Sequence, residues 1–149
     1  MLTEPQTIPP AKNLRIGIRL NNPYSSYKKE LLNLPSGAEI VASSLSGEFT
    51  LPKNQTGKFV FIAGGIGITP FRSMIKYLLD TDQKRDIVLL YSNKLAADIV
   101  YKELFDEAFR KLGIKTVYAL TDKENVPSGW KGRVGYIDDK VITEEIPDY

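Results

Sequence analysis

The sequence predicts an α/β protein, a parallel sheet with flanking helices, preceded by a unit of short antiparallel strands. Three observations predict it. From residue 58 onward, apolar runs of strand length alternate with amphipathic helical stretches, the pattern of a parallel sheet with crossover helices. The first run passes into the first helix through a glycine turn, Ala63-Gly64-Gly65-Ile66-Gly67-Ile68-Thr69-Pro70. Before about residue 55, short segments with period-two alternation are separated by turns, as half-buried antiparallel strands are.

In order along the chain, Leu14, Ile16, Ile18 and Leu20 alternate with Arg15, Gly17 and Arg19, which predicts a strand. Ser26 to Asn33 reads as a short helix, Pro35-Ser36-Gly37 as a turn, and Glu39–Ala42 and Glu48–Leu51 as further strands. Residues 1–55 are therefore expected to be a unit of short antiparallel strands. Strand edges left unpaired there would be exposed, open to an oligomer or a partner chain. Pro52–Gly57 connects it to a second unit, residues 56–149.

In that unit, strand Lys58–Ala63 leads through the glycine turn into helix Pro70–Leu79, and strand Asp86–Tyr91 follows. Helix Ala97–Leu112 is next. Val100, Leu104, Ala108 and Leu112 recur at helical spacing, with Tyr101, Phe105 and Phe109 widening the stripe into a core face. Gly113 ends the helix as a C′ glycine, and strand Ile114–Leu120 completes the alternation. Trp130–Gly135 is expected to be a loop packed under the sheet edge, and Asp138–Ile142 a short capped helix.

Composition narrows the chemistry. A hydrophobic share of 42% over 149 residues supports a real core. The net charge of +2 gives no electrostatic case for nucleic acid or an anionic membrane surface. No apolar run approaches the roughly 18–20 residues that span a bilayer, so no direct membrane insertion is expected. The N-terminus has neither the basic region nor the apolar region of a signal peptide, and a cytoplasmic chain is expected. With no cysteine and no histidine, disulfides, Ser–His and Cys–His hydrolysis and the usual metal sites drop out, so no metal is expected. Hydride transfer survives this exclusion, because there the cofactors carry the reaction and the protein orients them. The 18 scattered Asp and Glu residues offer no pair that stands out for carboxylate hydrolysis.

The glycine turn is the main functional candidate. Glycines let a ligand approach the main chain, and a helix N-terminus with free N–H groups seats a pyrophosphate. Thr69 suits the N-cap and Pro70 the first helical position. The segment is neither a P-loop nor a G-x-G-x-x-G fingerprint, since Pro70 stands at the third glycine's place. Tyr91-Ser92-Asn93 replaces the expected ribose-binding carboxylate. By pattern alone, Gly-Gly-x-Gly is also compatible with a plain packing turn. Ligands of open parallel sheets bind beyond the strands' carboxyl ends, near a switch in strand order, and three loops leave such ends here: Gly64–Thr69, Ser92–Lys94 and Thr121–Asp122.

Several motifs stand in register. Gly47-Glu48-Phe49-Thr50-Leu51-Pro52, Ala63–Pro70, Leu89-Leu90-Tyr91-Ser92-Asn93-Lys94 and Trp130-Lys131-Gly132-Arg133-Val134-Gly135 together resemble the ferredoxin–NADP reductase family, from about Leu14 to Ile142. The resemblance implies a flavin-binding barrel followed by an α/β domain for NAD(P)H. It also implies hydride transfer from the nicotinamide C4 to the flavin N5, then one-electron steps to an acceptor. Gly64, Gly65, Gly67, Ile68, Thr69 and Pro70 would form the pyrophosphate and nicotinamide side of the site. Ser92, Asn93 and Lys94 would lie near the adenosine ribose, and Thr121 at the nucleotide. Lys94 would suit a 2′-phosphate, or equally be a solvated loop lysine, and Asp98 close behind it would repel one. Ser26 would sit at the FAD pyrophosphate, or simply cap its helix.

The chain departs from the family in two places. No arginine is followed two residues later by Tyr, so the Arg-x-Tyr-Ser/Thr flavin motif is absent, and the family's closing strand is not found before residue 149. Residues 1–55 thus resemble the second half of an antiparallel FAD-binding β-barrel, and 56–149 an NAD(P)-binding domain without its last strand. Weak FAD binding or none is expected of the chain as it stands. The leading expectation is the NAD(P)H-binding part of a flavin-dependent oxidoreductase that passes electrons to a redox acceptor protein or domain. The alternatives are a non-enzymatic nucleotide-binding regulatory module and an interaction subunit completed by a partner chain.

Overall fold

The computed structural model describes residues 15–20, 22–43 and 46–148. Leu14, the first residue of the expected N-terminal strand, lies outside them. Contacts divide the chain into two units, one of them Ile18–Thr50, the other carrying Gly17 and everything from Leu51 onward.

The Ile18–Thr50 unit holds helix α1 (Ser26–Asn33), as the sequence predicts. Its cap is Ser25 rather than Ser26, the hydroxyl accepting from Lys28 N–H at 3.4 Å. Lys28 Nζ in turn donates to the Arg19 carbonyl at 2.6 Å. The turn at Pro35–Gly37 forms, closed by Ala38 N–H on the Pro35 carbonyl at 3.1 Å, with Gly37 in the left-handed region. The expected barrel strands do not. Among the described residues 15–20, 38–43 and 46–51 there is one isolated bridge, at Ile16, and no ladder. Ile40, Val41 and Phe49 are exposed. Alternation sets which side chains could share a face, but a strand also needs a neighbour's N–H and C=O groups, and no described segment supplies them here.

The second unit is the predicted parallel sheet. Strands β1 (Phe59–Gly64), β2 (Ile87–Asn93), β3 (Lys115–Leu120) and β4 (Arg133–Val134) lie in the order β1-β2-β3-β4, every pair parallel. Helix α2 (Thr69–Asp80) joins β1 to β2, and α3 (Lys102–Leu112) joins β2 to β3. Helix α4 (Asp139–Glu145) follows β4, capped by Asp138, whose carboxylate accepts from Val141 N–H at 2.9 Å. Alternate residues of each strand serve two cores, as a sheet covered on both faces requires. Phe61, Ala63, Ile87, Leu89 and Tyr91 pack with Phe71, Met74, Ile75 and Leu78 of α2 and Phe105, Ala108 and Leu112 of α3. Val88 and Leu90 face the other way, onto Ile142 of α4 and Ile146 just beyond it.

Two elements differ from expectation. The Trp130–Gly135 stretch is no plain loop: Arg133 and Val134 pair with Ala119 and Leu120 as the fourth strand. Helix α3 begins at Lys102 rather than Ala97, because the Asp98 carboxylate accepts from Leu95 N–H at 3.3 Å and closes a short 3-10 turn over Ala96–Asp98. The β-branched pair Ile99-Val100 then runs on without helix, and Tyr101 enters α3 at φ 60°, ψ 22°. Val100 and Phe109 of the expected core stripe are exposed, whereas Phe105, Ala108 and Leu112 are buried.

A candidate nucleotide site at the carboxyl ends of the strands

The parallel register brings the three expected loops together. Gly64 pairs with Ser92, and Ser92 with Ala119. Beyond the sheet, Thr121 N–H donates to the Asn93 carbonyl at 2.9 Å and Asp122 N–H to the Lys94 carbonyl at 3.2 Å. Ser92 and Asn93 are the last residues of β2 rather than loop residues. The described sheet shows no switch in strand order, since each crossover moves the chain one place in the same direction. The site is located by the strand ends alone.

The glycine turn has a definite geometry. Gly65 takes φ 50°, a value that favours glycine, and opens a 3-10 turn over Gly65–Ile68. That turn runs straight into α2, so the residue before the helix, Ile68, is already helical at φ −65°, ψ −21°. Thr69 is therefore the first helical residue rather than the N-cap, and Pro70 stands second. No extended residue is left at the junction for a side-chain cap. Thr69 N–H donates to the Ile66 carbonyl and Pro70 has none, so the candidate ligand donors lie in Gly65–Gly67. Gly64 and Gly67 are exposed, and a β-carbon built on either meets nothing within 4 Å. This open main chain is a cradle that fits a phosphate, and that any side chain would partly fill.

Around the cradle the side chains divide by burial. Ile68, Thr69 and Asn93 are buried and support the turn from below, while Lys94 is exposed and Gly65, Pro70, Ser92 and Thr121 are half-buried. The Asn93 amide finds no hydrogen-bond partner among the described residues, although it lies against the Tyr91 hydroxyl. Burial pushes that hydroxyl's pKa up, opposed by Asn93 and by Val100 N–H, which donates to it at 3.5 Å. Burial likewise raises the neighbouring Tyr118 hydroxyl, with the Asp106 charge adding to it. Asp122 is held below the usual carboxylate range, first by the Asn125 side chain, with the Lys94 charge a smaller contribution. Asp122 also closes its turn through Glu124 and Asn125 N–H, as a loop carboxylate does. Ser26 belongs to the Ile18–Thr50 unit as the first residue of α1.

The sequence did not point to three further residues beside the turn: Gly17, Arg72 and Tyr101. Arg72 is buried on α2 with its guanidinium 5.7 Å from the Tyr101 ring centre. A left-handed tyrosine has no sequence signal, because the conformation is imposed by packing. Among the described residues there is no cluster of metal-ligating side chains and no helix long and apolar enough to cross a membrane.

Known proteins match this arrangement. Residues 61–148 fit the profile of the oxidoreductase NAD-binding domain. NADH-cytochrome b5 reductase 1 of Cryptococcus neoformans is 35% identical over 117 residues, covering 76% of this chain and 39% of that protein. The glycine betaine monooxygenase reductase subunit of Pseudomonas aeruginosa is 26% identical over 117 residues, covering 78% of this chain and 32% of the subunit. The chain thus spans about a third of the length of these relatives. The CS-b5R domains of human Ncb5or, solved in the NAD+ form, superpose with a TM-score of 0.69 at 22% identity, over 91% of this chain and 41% of that one. With the glycine turn, the parallel sheet and the profile in agreement, the chain belongs to the NAD-binding oxidoreductase domain family, of the ferredoxin reductase-like fold.

Proposed function

We propose that this chain is the nicotinamide-dinucleotide-binding part of a flavin-dependent reductase, with residues 56–149 holding the dinucleotide and 1–55 belonging to its flavin side. The observation that carries the reading is the exposed, unobstructed main chain of Gly64 and Gly67 at the carboxyl end of β1. Gly65 and Gly67 present N–H groups to the pyrophosphate, Pro70 at the second position of α2 adds no competing donor, and Ser92, Lys94 and Thr121 line the nucleoside side. Ile68, Thr69 and Asn93 act as buried supports. When bound, a reduced nicotinamide would supply a hydride, and the flavin of a whole reductase would supply the one-electron chemistry toward a redox acceptor protein or domain. The described Ile18–Thr50 unit offers no barrel to hold FAD, so no step is assigned to residues there.

NADH is the favoured dinucleotide in this reading. Lys94 is the nearby cation for a 2′-phosphate, but its charge already acts on Asp122, and Asp98 lies four residues on. The b5 reductase relative named above also carries NADH in its name. A cytoplasmic setting, where reduced nicotinamide is supplied, belongs to the same proposal.

The test is a titration of the chain with NADH, then NADPH, followed by anaerobic addition of FAD. NADH binding at micromolar to low millimolar concentration, tighter than NADPH, is expected. Absence of binding by either dinucleotide would sink the reading. Flavin bleaching above a protein-free control would show in addition that this chain completes the reductase site.

A further inference from the structure

Three segments far apart in sequence meet at Gly17. A β-carbon built there would lie 2.8 Å from Thr69 Cγ2, 3.2 Å from the Tyr101 hydroxyl and 3.5 Å from Ile66 Cδ1. The first distance is shorter than non-bonded carbons allow, so this stretch lies directly on the start of α2 because Gly17 has no side chain. Gly17 does not sit in the left-handed region, so alanine suits its backbone and only the contact excludes it.

The partners are poorly able to give way. Thr69 is 2% exposed, β-branched and locked at the first position of α2. Tyr101 is held on the opposite side by its own strained backbone and by Arg72, three residues along α2 from Thr69. Strained residues of this kind persist where surrounding structure over-determines a position, and they gather at ligand clamps.

We infer that Gly17 is a positioning residue for the glycine turn. Its bare Cα lets the chain at position 17 lie against Ile66 and Thr69, which bracket Gly67, and so fixes the main chain that receives the dinucleotide. This rests on the nucleotide reading above and adds to it the residue that sets the cradle's geometry. A side chain at position 17 pushes Thr69, and with it the first turn of α2 and the Gly67 N–H. A ligand held by main-chain donors is sensitive to such a shift.

The test compares the full chain with Gly17→Ala and with Gly17→Ala combined with Thr69→Ser, which deletes the obstructing methyl and keeps the hydroxyl. NADH affinity should fall roughly five- to tenfold in G17A, well below its melting temperature, and recover in the double variant. Amide chemical shifts of Ile66, Gly67 and Thr69, read without ligand, should move in G17A and return with Thr69→Ser. Unchanged shifts in G17A, or a loss of affinity that Thr69→Ser does not restore, would overturn the inference. If the amide shifts behave as expected but the wild-type chain takes up no NADH, the clamp stands as a contact and the nucleotide reading fails instead.

Discussion

Arg133 of β4 holds Glu145 of α4: its Nε donates to Glu145 Oε1 at 2.8 Å, and Nη2 meets the same oxygen. Lys115 of β3 reaches the other carboxylate oxygen at 2.7 Å, and Arg133 Nη1 reaches Glu144 at 2.6 Å. These pairs tie the last helix to the edge of the sheet whose apolar face it covers. The Glu145 carboxyl is held below its ordinary value of 4.5, first by Lys115 and then by Arg133. A depressed carboxylate contributes stability that is present above its unfolded value and lost as pH falls through the folded one. The melting temperature should therefore be flat from neutral pH down to about 5 and fall below that. Glu145→Gln should melt about 2–4 °C lower at pH 7 and show a shallower acid limb. An acid limb identical to wild type in E145Q would show that the staple does not contribute to acid sensitivity.

Gly132 is fixed by contact, not by conformation. A β-carbon there would stand 2.5 Å from Trp130 Cζ2 and 2.6 Å from the Tyr118 carbonyl oxygen. The Trp130 ring cannot retreat freely, since its Nε1 donates to the Arg133 carbonyl at 3.0 Å. Gly132→Ala should cost about 1–3 kcal/mol by overpacking, measured by urea denaturation. Gly64→Ala, with open space around it, serves as the control and should change stability by under about 1 kcal/mol. Similar losses in both variants would point to a general glycine effect and against the Trp130 contact.

Phe105 and Phe109 share one helix and one expected stripe, yet they differ sharply: 1% against 61% exposed. Phe105 meets Tyr91 edge-on at 6.2 Å between ring centres. Phe105→Ala should cost about 3–5 kcal/mol by leaving a cavity, and Phe109→Ala under about 1 kcal/mol, both by thermal or chemical denaturation. Equal costs would mean that the stripe is buried as a whole in solution.

That pair also shows how far the sequence could be read. Period and punctuation located the four α-helices of the described residues and the three long strands, and Gly113 closes α3 at φ 76° as its position predicts. Those features are local, encoded within one turn or one strand. Residues whose conformation depends on distant contacts were not legible. Tyr101 takes a left-handed backbone that no pattern announces, and Phe109, one turn beyond the buried Phe105, lies out of the core. Strand β4 is two residues long, too short to show a period. The segments before residue 52 alternate as strands do, but alternation cannot report whether a neighbouring strand is there to pair with. At the candidate site the glycines and strand ends were legible as chemistry. The burial of Thr69 and Asn93 was not.

Gly67 separates a ligand cradle from a packing turn. Its φ is not left-handed, its surroundings are open, and no atom lies within 4 Å of an added β-carbon. A packing glycine would show the opposite, as Gly132 does. Gly67→Val should therefore fold, melting within a few degrees of wild type, because its β-carbon meets no neighbour and the change costs only some helix-end preference. Its branched side chain would occupy the space through which a phosphate approaches the main chain, so NADH affinity should drop at least about tenfold. Calorimetric titration beside a melting curve reads both quantities on one sample. Unchanged affinity in a folded G67V would move the dinucleotide away from the glycine turn. A lower melting temperature with affinity intact would make the turn a packing device.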